Sequence, residues 1–151
     1  MTEHRERVLR IERTFDAPLD RVFEAWTSEE VLRRWWRTER DWDTSDAQVD
    51  LRVGGAVRVV MRDIGSGKEI GGSGLYTEVE PPTRLAFTWL WDGQTTRTLI
   101  ELDLSENDGV TTVVFTHRDL WDEEAVREHE DGWTRMFEFL ADYTENRSTR
   151  P

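Results

Sequence analysis

A change of hydrophobic period constrains this chain more than any other feature. Up to His117, apolar residues recur at alternate positions in short runs broken by turn residues; from Asp122 to Tyr143 they recur at every third or fourth position. The first pattern belongs to strands with one dry face, the second to an amphipathic helix. Strands joined by hairpin-length turns are mainly antiparallel. Their dry face needs a cover, and the last helix is the only long amphipathic element available.

The runs divide the chain. Val8 to Phe15 alternates as a half-buried strand and stops at Asp16-Ala17-Pro18. Val22, Phe23 and Trp26 then lie at helical spacing. Thr27-Ser28-Glu29-Glu30 reads as a fresh N-cap, and Val31, Leu32, Trp35 and Trp36 continue a second short helix. Arg37 to Asp46 reads as a polar connection. Gln48 to Val53 turns through Gly54-Gly55 into Ala56 to Arg62, a hairpin signal. Ile70 to Glu80 forms a longer strand whose Gly71, Gly72 and Gly74 mark a bulge or a close backbone approach. Leu85 to Trp91, Arg97 to Leu104 and Val110 to His117 complete the set, with turns at Asp92-Gly93 and Glu106-Asn107-Asp108-Gly109.

The fold class is therefore α+β of the helix-grip kind. A curved antiparallel sheet of six to seven strands surrounds a long C-terminal helix, and two short helices follow the first strand. Residues 1–151 are expected to form one domain, ordered from about residue 7 to 144, with a frayed polar tail from Thr144 onward.

Composition narrows the function. A formal net charge of −12 opposes nucleic-acid or anionic-membrane binding, which needs a basic stripe. Without cysteine there is no disulfide, thiolate metal site or cysteine nucleophile. Met1 to Arg10 is charged and lacks the apolar core of a signal peptide. No apolar run approaches the roughly 18 residues that span a bilayer. A cytoplasmic protein is expected.

Several segments, in order, resemble one family. These are Phe15-Asp16-Ala17-Pro18, Val22 to Thr27, Leu32-Arg33-Arg34-Trp35-Trp36, Asp50 to Gly55, Gly74 to Pro82, Arg84 to Trp89 and Gly132-Trp133. The set resembles the START-like (SRPBCC) superfamily, whose architecture is shared with Bet v 1-like proteins. More narrowly, it is similar to the group of activator of heat-shock-protein-90 ATPase homologues. The resemblance implies a cavity for an apolar small molecule and no shared catalytic residue set.

Strand parity places Leu85, Phe87, Trp89 and Trp91 on one face, and helix periodicity places His129, Trp133, Met136 and Phe137 on the face that meets it. The expected pocket lining is Trp35, Trp36, Val59, Met61, Tyr76, Phe87, Trp89, Trp91, Leu102, Phe115, His117, His129, Trp133, Met136 and Phe137. Entry is expected near the two short helices. His117 is expected at the rim, Trp42 on the surface, and Gly132 where the helix approaches another element closely. Glu78 and Asp119 with the two histidines could be drawn as an acid–base or metal set, but their spacing matches no ligand motif, and structural histidines fit better. No cofactor and no metal are expected. The reading is non-catalytic binding of an apolar or aromatic small molecule, with a homodimer as the other partner considered. Two alternatives stay open: a cyclase- or hydrolase-like enzyme using a pocket histidine, and a chaperone-linked interaction module.

Overall fold

The computed structural model describes residues 7–146. Its elements run β1 (Leu9–Phe15), α1 (Leu19–Thr27), α2 (Glu29–Trp35), β2 (Trp42–Val49), β3 (Ala56–Asp63), β4 (Glu69–Glu80), β5 (Arg84–Trp91), β6 (Thr98–Asn107), β7 (Val110–Arg118) and α3 (Glu123–Thr144). The seven strands form one curled sheet in the order β1-β7-β6-β5-β4-β3-β2, antiparallel throughout. After β1 the two short helices carry the chain to the far edge. Five hairpins then return it, so that β7 closes beside β1.

Local chemistry fixes the joints. Asp108 and Gly109 both hold positive φ, 52° and 79°, which suits a two-residue hairpin between twisted strands. The Ser28 hydroxyl accepts from Val31 N–H at 3.3 Å and the Asp122 carboxylate from Ala125 N–H at 2.7 Å, starting α2 and α3. On α3, Trp133, Met136, Phe137, Leu140 and Ala141 turn inward. Phe137 meets Phe115, Trp26 and Phe15 at ring separations of 5.3, 5.9 and 6.3 Å. The C-terminal half of α3 is thus packed tightly between α1 and the β1–β7 edge.

Three local expectations change. Strand β2 begins at Trp42, inside the segment read as a polar connection, and Asp50 to Gly55 is loop. Its alternation is disguised twice. Thr44 is the inward residue, its hydroxyl donating to Trp36 O at 2.7 Å, and a bulge between Thr44 and Asp46 passes the next inward place to Ala47. Trp42 is not on the surface; it is half-buried against the core. Thr144 ends α3 buried, its hydroxyl donating to Leu140 O, so the frayed tail cannot start there. The remainder of that expectation, from residue 147 onward, lies outside the described residues.

Candidate functional site

The cavity forms where the first half of α3 crosses β3, β4 and β5. Met61 and Ile70 stand opposite each other across the β3–β4 ladder, and Trp91 lies beyond them on β5. Gly132, His129, Trp133 and Met136 close the hollow from the helix, and Thr38, just after α2, borders it; its volume is about 280 Å3. A Cβ added to Gly132 would meet nothing within 4 Å. The glycine does not let the helix approach another element; it leaves space open on the cavity wall. Asked of the sequence alone, Gly132 reads as a contact point, because a helical glycine next to a tryptophan gives no sign of which it is.

Behind this wall the interior is packed rings. Trp36 lies 5.6 Å from Trp89 and 5.4 Å from Trp133, and Trp133 lies 4.6 Å from Phe115. Trp89 is wholly buried: its indole covers Gly72, where a Cβ would come within 2.4 Å of the ring. Of the residues expected to line a pocket, Met61, Trp91, His129, Trp133 and Met136 border the hollow. Trp35, Trp36, Val59, Tyr76, Phe87, Trp89, Leu102, Phe115 and Phe137 belong to the packed core. Ile70 was missed, although the hairpin turn at Asp63–Gly67 places it opposite Met61. Thr38 and Glu128 carry no periodic signal.

Two histidines tie α3 to the sheet. The Trp133 indole N–H donates to His117 Nδ1 at 3.2 Å, so His117 carries its proton on Nε2. That proton goes to the Thr98 hydroxyl at 2.7 Å, and the hydroxyl donates to Trp89 O at 2.8 Å. Burial, helped by nearby His129, pushes the His117 pKa down to about 3. His129 is the mirror case. Its Nδ1–H donates to Ala125 O at 2.7 Å, and its Nε2 accepts from the Trp91 indole at 2.9 Å. Burial lowers its pKa as well. Both rings are neutral, and every ring nitrogen is engaged.

His117 is therefore not at a rim. It sits wholly buried in β7, opposite Leu9 on one side and Ile100 on the other. The drawn acid–base set also separates: Glu78 accepts from Arg84 at 2.7 Å. Among the described residues no group of three or more His, Asp or Glu side chains could hold a metal. The Nε1 atoms of Trp26, Trp36 and Trp89 and the Tyr76 hydroxyl are buried without a partner among the described residues.

The same order of elements and the same sheet are found in a known family. The sequence profile of the activator of Hsp90 ATPase homolog 1-like proteins matches residues 16–145. The chain belongs to this family. Its superfamily is the START-like (SRPBCC) group. Among solved structures, protein CV1439 from Chromobacterium violaceum is similar with a TM-score of 0.81 at 23% identity, over 91% of this chain and 97% of that one. The AHSA1 protein from Silicibacter pomeroyi gives 0.78 at 29%, over 90% and 96%. CalU16 from Micromonospora echinospora gives 0.71 at 28%, over 91% and 75%. No curated protein matches the chain in sequence. Among the described residues no helix is long and apolar enough to cross a membrane.

Proposed function

We propose that this family member binds an apolar or aromatic small molecule, without transforming it, in the cavity between α3 and strands β3 to β5. The observation that carries this reading is the cavity itself. It is a hollow of about 280 Å3 walled by Met61, Ile70, Trp91, Trp133 and Met136, in a concave face otherwise filled by rings. A volume near 300 Å3 lies at the lower end of small-molecule sites, and apolar walls with a few polar groups are their usual make-up. Methionine and tryptophan walls adapt to the shape of a flat ligand. The superfamily's fold commonly binds ligands.

The histidine network supports binding over catalysis. An imidazole serves as a general base through a free nitrogen lone pair. In His117 and His129 that lone pair is taken by an indole N–H. The test is titration of the protein with an apolar fluorescent naphthalene probe, read by quenching of indole emission. Saturable quenching that is weakened by Met136→Trp, which fills the hollow, is the expected result. Absence of saturable binding by any apolar probe would sink the reading.

A further inference from the structure

A second hollow lies farther along α3 and shares no lining residue with the apolar cavity. It holds about 350 Å3 between the three helices. Arg21 of α1, Arg34 of α2 and Arg37 just beyond α2 face Phe139, Asp142 and Tyr143 of α3. A smaller hollow of about 180 Å3 shares Arg37, Phe139 and Asp142 with it and adds Arg40. The chain has 32 acidic residues against 20 basic ones, so a surface pocket drawn by chance would be acidic. This one has the opposite sign.

Arg21 and Arg37 are held by carbonyls and ring faces, and the Asp142 carboxylate shares the hollow with them as one negative charge against three positive. Arg21 donates through Nε to Thr144 O and through Nη2 to Tyr143 O, both at 2.9 Å, and its guanidinium lies 4.7 Å from the Tyr143 ring centre. Arg37 donates to Trp42 O at 3.2 Å and lies 4.7 Å over the Phe139 ring. Its Nε is buried without a partner among the described residues. Carbonyls and ring faces hold a guanidinium in place without neutralising it. Arg34 pairs with Glu30 at 3.4 Å, an exposed contact that contributes little and yields readily to a better acceptor. Capping of the last turn of α3 accounts for Arg21. It does not account for Arg34 and Arg37 lining the same hollow, nor for Arg40 beside Phe139 in the smaller one.

We infer that this hollow is an anion site, taking a small molecule through a phosphate or carboxylate group clasped by Arg34 and Arg37, with Arg21 behind. Planar forks held in advance suit such oxyanions, and pre-organisation removes much of the ordering cost. The reading is independent of the apolar cavity.

The test is an NMR titration of the arginine Nε–H signals with inorganic phosphate, pyrophosphate and citrate, against chloride at constant ionic strength. Saturable shifts of the Arg21 and Arg37 signals are expected, with the Trp91 indole signal unmoved. Saturation by phosphates or by citrate supports the site, and the tighter series names the group. Arg34→Gln, on an exposed side chain, should keep the fold and weaken binding about tenfold; Arg37→Gln should do the same. Shifts that never saturate, or saturable binding that Arg34→Gln leaves unchanged, would overturn the inference.

Discussion

Replacing Gly132 separates what the cavity costs from what it does. Glycine inside a helix is less favourable than alanine by about 1 kcal/mol, mostly through the freedom it gives the unfolded chain. Residue 132 lies in the interior of α3, and its φ is not positive, so alanine fits the backbone. The added Cβ meets nothing within 4 Å, so no clash offsets the gain. Gly132→Ala should therefore stabilise by about 0.5–1 kcal/mol, a rise of roughly 1–4 °C in Tm for a chain of this size. Gly132→Leu carries the same helix gain but projects a branched side chain into a hollow of about 280 Å3. It should fold and lose the apolar probe. Thermal melts and probe titrations on the two variants test both halves. A lowered Tm for Gly132→Ala would refute the reasoning, because it would mean that α3 lies against the sheet at this turn. Wild-type probe affinity in Gly132→Leu would move the ligand site elsewhere.

Stability should fall in mild acid because the buried histidines must charge. The His117 pKa drops from 6.5 unfolded to about 3 folded, so its contribution is intact above pH 6.5 and declines as pH falls toward 3. The slope is about 1.4 kcal/mol per pH unit, or about 2 kcal/mol lost by pH 5, and the lowered pKa of His129 acts in the same direction. Urea melts at pH 7.5 and pH 5 measure it; equal midpoints at the two pH values would contradict the burial of both rings. Tyr76→Phe removes a buried hydroxyl that has no partner among the described residues, so urea melts should show unchanged stability or a gain of up to about 1 kcal/mol. A loss larger than that would reveal a partner for the hydroxyl.

The sequence alone determined the architecture, because period and turn chemistry are local. Alternation in Leu85–Trp91, the Asp108-Gly109 turn and the helical spacing from Val126 to Tyr143 each dictate an element within a few residues of chain. Order and hairpin length then leave few ways to assemble them. β2 shows the limit of that logic: an inward threonine satisfied by the Trp36 carbonyl and one bulged residue erase the alternation.

What only the tertiary structure decided is which apolar residues face space and which face each other. Trp89 and Trp91 share a strand face, and nothing in their spacing tells them apart. Trp89 vanishes into the core because Gly72 on the neighbouring strand leaves room for its indole. Trp91, near the end of that strand, reaches His129 on the helix and borders the cavity. The anion hollow was equally hidden, since Arg21, Arg34, Arg37 and Tyr143 come together only when α3 packs on α1 and α2. Periodicity says which way a side chain points; what it meets there depends on residues distant in the chain.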